Sequence, residues 1–185
     1  MALTKLNYTG QGTIPDASLP TIPISKIPTI TGAKMPTGSV IQTVQGGRTT
    51  RVTHNSGTYT DVGVSVAITP SSTSSKILIT LTGTLGNANA SNLVLLRLFR
   101  DSTEIGSGTG GGNSSYNSFV SILQDTTGYS YSGISGSFLD SPSTTSATTY
   151  KIQMAAFNGT GVLGGRPDNT NVATPTRFIV QEIAQ

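Results

Sequence analysis

The sequence predicts an all-β protein: a jelly-roll-like β-sandwich over residues 39–185, preceded by an extended, proline-rich arm over residues 1–38. Three observations carry that prediction. Prolines stand at 15, 20, 23, 28 and 36 and are sparse thereafter. From residue 39 onward, short runs rich in Val, Ile, Thr and Tyr alternate apolar with polar residues and are punctuated by Gly, Asn and Ser. No 12-residue window repeats its apolar residues at helical spacing.

The arm comes first. Proline lacks a backbone donor and has a fixed φ, so this density excludes both helix interior and central strand. Aligned on itself, the arm shows an eight-residue repeat: LPTIPISK (19–26), IPTITGAK (27–34) and the degenerate MPTGSVIQ (35–42). Because eight is even, Leu19, Ile27 and Met35 fall on one face of an extended chain, ~26 Å apart. With Ile14, Ile22, Ile24 and Ile30 they make the arm too apolar for a solvated linker. A lone extended chain cannot bury such a stripe, so a partner surface is expected, either two symmetry mates or another protein. The first 36 residues could reach ~110 Å.

Eight strands are expected in the body: 39–45, 58–69, 75–85, 92–100, 116–123, 129–139, 148–157 and 176–183. The clearest signal is Val62, Val64, Val66 and Ile68 alternating with Gly63, Ser65, Ala67 and Thr69, a period of two that marks one buried face. Ile77, Ile79 and Leu81 repeat it, as do Tyr150, Ile152 and Met154. Eight strands with turn-rich connections suggest a sandwich, with a jelly roll leading. In 93–99 and 178–183 apolar residues occupy both faces, more than a sheet with one wet side requires. A homotrimer would supply the second cover, with Leu93, Leu95, Phe99, Ile179 and Ile183 at its interface. The alternative is a strand covered by a loop of its own subunit.

Composition narrows the function classes. Of 185 residues only 10% are charged, and 11 Lys and Arg stand against 8 Asp and Glu. The basic residues are spread without a cluster, so no nucleic-acid partner is expected. There is no cysteine, which removes disulfides and thiolate metal sites. No segment reads as a signal peptide or membrane span.

No catalytic residue, metal site or cofactor is expected. A Ser-His-Asp triad would rest wholly on His54, the single histidine, which sits where a strand ends in a turn. The eight acids lack calcium-loop spacing and stand mostly beside turn residues, where Asp bonds its own backbone. Gly106 to Gly112 (GSGTGGG) lacks the Gly-Lys-Ser/Thr ending and the helix of a phosphate loop, and reads as a hairpin tip. Tyr116, Tyr129 and Tyr131 lie among Asn, Ser and Gly, a mixture suited to recognising sugars or protein surfaces, or else to ordinary strand ends.

Several stretches resemble the short fibre and virion structural proteins of tailed bacteriophages, especially those of aquatic and cyanobacterial hosts. They are Met35-Pro-Thr-Gly-Ser-Val-Ile-Gln-Thr-Val, Val66-Ala-Ile-Thr-Pro-Ser-Ser-Thr-Ser-Ser-Lys-Ile-Leu-Ile, Thr148-Thr-Tyr-Lys-Ile-Gln and Phe178-Ile-Val-Gln-Glu-Ile. Running from residue 35 to the C-terminus, the resemblance implies a sandwich-like module in trimeric fibres or decorations on the virion, with a role in attaching the virion or contacting a host glycan or protein. The arm over residues 1–38 is expected to bind other virion proteins, of the tail or the capsid, or to intertwine with symmetry mates. It carries no catalytic motif. Capsid decoration or cement without host contact is the second expectation, a polysaccharide depolymerase the third and a free-standing carbohydrate-binding module the fourth.

Overall fold

The computed structural model describes residues 35–109, 112–123 and 131–185. Eleven strands lie among them: β1 (Val40–Arg48), β2 (Val52–His54), β3 (Thr60–Ile68), β4 (Lys76–Asn87), β5 (Leu93–Arg100), β6 (Thr103–Ile105), β7 (Val120–Leu123), β8 (Tyr131–Asp140), β9 (Thr148–Ala156), β10 (Gly161–Leu163) and β11 (Thr176–Ile183). The strands form two sheets, and every pairing is antiparallel.

In the first sheet the columns run β1, β11, β4, β8, with the short β2 continuing the β1 column and β10 the β11 column. In the second they run β3, β9, β5, and then β6 and β7 together along the far edge of β5. Read in chain order, the long strands alternate between sheets except where β5 and the β6/β7 column share one. That is the eight-column order of a jelly roll, the predicted fold. All eight expected strands are present. The additions are the three-residue pieces β2, β6 and β10, too short to show periodicity. One expected strand shrinks, because residues 114–116 form a 3-10 turn and only 120–123 pair.

The alternation in the sequence becomes the core. Val62, Val64, Val66 and Ile68 of β3, Ile77, Ile79 and Leu81 of β4, Val94, Leu96 and Leu98 of β5, Tyr150, Ile152 and Met154 of β9, and Phe178 and Val180 of β11 all point between the sheets. Fully burying each aliphatic side chain contributes about 1.5–3 kcal/mol. Gly63, at φ +69°, sits in a bulge of β3 that keeps Val62 and Val64 both inward.

Register gives the sandwich two distinct ends. At the proximal end Gly38 N–H donates to the Ala184 carbonyl and Ala184 N–H to the Ser39 carbonyl, each at 2.9 Å, so chain entry and C-terminus meet there. The connections 69–75, 101–102 and 141–147 share that end. At the distal end lie 55–59, 88–92 and 157–160.

Two buried carboxylates anchor the proximal end. Glu182 and Asp140 flank Ile77 as its two Cα partners, facing inward in one row of the first sheet. Glu182 accepts from Ser71 N and Oγ and from Ser75 Oγ, each at 2.7 Å, and from Gln42 Nε2 at 2.6 Å. Burial alone would raise its pKa, but these donors together outweigh that and hold it below its ordinary value. Asp140 accepts from the Tyr150 hydroxyl at 2.7 Å and from Arg100 at 3.0 Å. Burial, and then the bond to Asp140, push the Tyr150 hydroxyl pKa far up, so it stays a donor.

Candidate functional site

The outer edge of the second sheet is interrupted. β6 pairs with residues 98–100 of β5 and β7 with residues 93–96, while residues 106–109 and 112–118 lie outside the ladder between them. Arg97 stands at the gap, on the outer side of β5. Its guanidinium forms a 3.0 Å ion pair with Glu104 and donates to the carbonyls of Ser114 at 2.7 Å and Asn117 at 3.0 Å. It also lies 3.9 Å from the centroid of the Tyr59 ring. The Tyr59 hydroxyl donates in turn to the carbonyls of Ser115 and Asn117, both at 3.2 Å. Burial raises the Tyr59 pKa against the pull of Arg97, which keeps the hydroxyl protonated as a donor.

These bonds fasten the 114–116 turn over the sheet, and Asn113 caps it by accepting from Ser115 N at 2.9 Å. Arg97, Glu104, Ser114, Ser115 and Asn117 line an open cleft of about 290 Å³ beside it. The turn holds Tyr116 outward, 46% exposed, with its ring 5.0 Å from that of Phe157 at the distal end of β9. Tyr131, 37% exposed, opens β8 opposite Gly86 at the same distal end. Neighbouring distal loops are tied by amides: Asn89 Nδ2 donates to the Asn158 carbonyl at 2.9 Å, and Asn89 N to Asn87 Oδ1 at 3.0 Å. The distal end therefore presents aromatic rings, amides and hydroxyls on a braced base. That chemistry suits uncharged surface recognition.

Tyr116 and Tyr131 thus share the distal end, while Tyr129 falls outside the described residues. His54 is the last residue of β2, its Nε2 2.8 Å from the Thr58 carbonyl and its Nδ1 3.2 Å from Thr60 Oγ1. Residues 106–109 belong to the excursion between β6 and β7. The hairpin tip is instead the two-residue turn after Arg100, where Asp101 adopts φ +52°.

The expected trimer residues divide between opposite outer faces. Leu93, Leu95 and Phe99 point outward from the second sheet, and Ile179 and Ile183 from the first, so they form no single patch. Leu95 is only 2% exposed and is unavailable to a neighbour. Its cover belongs to its own subunit, two residues from the point where Arg97 fastens the 114–117 segment. Leu93, Phe99, Ile179 and Ile183 are half-buried. Of the arm residues, Met35 is half-buried, while Ile14, Leu19, Ile22, Ile24, Ile27 and Ile30 lie outside the described residues.

Sequence reasoning passed over Arg97, Tyr59, Glu104 and Phe157. One signal was present: an arginine inside the aliphatic run 93–99 needs acceptors. Which carbonyls supply them depends on a loop returning 17 to 20 residues later.

No family model matches this sequence, and neither does any curated protein. Among solved structures the chain is similar to a chain of infectious bursal disease virus, Gt strain, at 11% identity and a TM-score of 0.40, over 90% of this chain and 43% of that one. Against the Gx strain of the same virus the values are 9% and 0.39, over 78% and 36%. The chain spans less than half the length of either. Function is read from its own geometry.

Proposed function

We propose that this chain is a structural protein of a tailed-phage virion, a tail fibre or fibre-like adhesion component. Residues 1–38 fasten it to other virion proteins, and the distal end of the sandwich meets a glycan or protein on the host surface. One observation carries the reading: chain entry and the recognition loops stand at opposite ends of the β-sandwich. A module held by its N-terminal segment then projects Tyr116 and Tyr131 away from its attachment. A homotrimer would present three such ends and convert weak single contacts into avidity.

Binding of the purified full chain to host cells tests this directly. Saturable binding that falls at least tenfold in the double variant Tyr116→Ala, Tyr131→Ala is the expected result. Binding to capsids or tail parts alone, with none to cells, would replace adhesion by decoration. Light scattering behind size exclusion should report three copies; a monomer at micromolar concentration would remove the avidity argument.

A further inference from the structure

We infer that the gap in the edge of the second sheet binds a neutral sugar unit, held through its hydroxyls by Glu104, Asn117 and the serines around them. The gap has two hollows. One is the cleft of about 290 Å³ beside the 114–116 turn. The other, of about 320 Å³, is lined by Glu104, Asn117 and residues 105–109. Glu104 and Asn117 belong to both, so the hollows adjoin across that pair. Each is of the size at which small-molecule clefts begin, ~300 Å³.

The polar groups here divide into those already engaged and those left over. Arg97 is engaged throughout, with Glu104 Oε2, with the Ser114 and Asn117 carbonyls and with the face of Tyr59. Its charge is answered from within the chain, and it braces the walls before any ligand arrives. The side-chain amide of Asn117, the hydroxyls of Ser114 and Ser115 and the second carboxylate oxygen of Glu104 make no hydrogen bond with any described residue. Ser107 lines the second hollow, and its Oγ is buried with no partner among the described residues, a costly state that a ligand hydroxyl relieves.

The groups left over set the ligand class. They are hydroxyls, one amide and one carboxylate oxygen, and no cation besides Arg97 lines either hollow. Such a set fits a molecule that offers several hydroxyls and no charge. A carboxylate accepts from neutral hydroxyls in charge-assisted bonds, whereas it repels a second anion at contact distance. A uronate or phosphate group is therefore disfavoured. The turn that supplies Ser114 and Ser115 also holds Tyr116 outward, so an aromatic ring stands next to those hydroxyls and offers the apolar face of a sugar a surface to lie on.

This inference rests on the adhesion reading, for which it names the ligand class and a subsite. The full chain is titrated with fluorescent dextran, mannan, galactan and polygalacturonate at about 50 and about 500 mM salt, which screen charge contacts weakly and strongly. Saturable binding of at least one neutral polymer is expected, changing less than twofold between the two salts. Glu104→Gln should weaken it about tenfold. Asp61→Asn, the same carboxylate-to-amide change on β3 of the same sheet, should weaken it less than twofold. Asn117→Ala removes only a side-chain amide, because the brace uses the backbone carbonyl of that residue, and should weaken binding about fivefold. Loss in Glu104→Gln without loss in Asn117→Ala would assign Glu104 to bracing alone and overturn the site. Equal weakening by Asp61→Asn, failure of all three neutral polymers, or tighter binding of polygalacturonate than of any of them would overturn it too. Wild-type protein that binds host cells but no neutral polymer overturns this site alone; protein that binds a polymer but not cells overturns adhesion alone.

Discussion

The two ends of the sandwich handle polarity in opposite ways. At the proximal end ionised groups go inside: Glu182 and Asp140 are taken out of water and every donor around them is supplied by the same chain. At the distal end the polar groups are amides, hydroxyls and carbonyls held outward by short bonds, with Tyr116 and Tyr131 among them. A buried, satisfied carboxylate admits few alternative arrangements, because leaving any partner unpaired is costly. Neutral loop groups facing water tolerate many. The proximal end is therefore built to stay fixed where the N-terminal segment joins, and the distal end to be varied without loss of the fold.

The sharpest way to break this contrast is to delete an inner carboxylate. Asp140→Ala leaves the Tyr150 hydroxyl and one face of Arg100 without an acceptor between the sheets, and should cost about 3–5 kcal/mol in urea unfolding. Glu182→Gln keeps the shape but weakens four charge-assisted bonds, and should cost about 1–3 kcal/mol.

The same glutamate carries a pH signature. Its folded pKa lies below the ordinary 4.5, so the unfolded chain takes up the proton first as pH falls. Its stabilisation is complete above the ordinary value and is lost as pH drops through the folded one. Unfolding free energies measured from pH 6 down to pH 3 should fall more steeply for wild type than for Glu182→Gln.

Distal changes should be milder globally. Arg97→Ala frees the Ser114 and Asn117 carbonyls to water and should cost about 1–2 kcal/mol. Its distinctive result is faster hydrogen exchange and proteolysis confined to residues 112–119. Tyr131→Ala should change stability by less than about 0.5 kcal/mol, so any loss of cell binding it causes is a loss of contact. Equal destabilisation at both ends would erase the distinction between them.

How far the sequence could be read depended on the range of the interactions. The period of two in 62–68, 77–81 and 150–154 announced the strands and their inner faces, because alternation is a local property of the pleated backbone. It also misled at Leu95. Two apolar faces say that a strand needs a second cover, and the alternation is silent on whether a neighbouring subunit or a loop of the same chain provides it. Tyr116 reads as the start of a strand because a 3-10 turn of three residues leaves no period of its own.

By itself, then, the sequence determined an all-β body, eight strands in their order, the change of character near residue 38 and the inner face of the core. Each of those follows from steric and solvation preferences of residues close in the chain. Only the tertiary structure decided the jelly-roll column order and the pairing of Glu182 with Ser71 and of Arg97 with the 114–117 carbonyls. Those depend on register between distant strands and on where the loops return, which burial of the whole core selects at once.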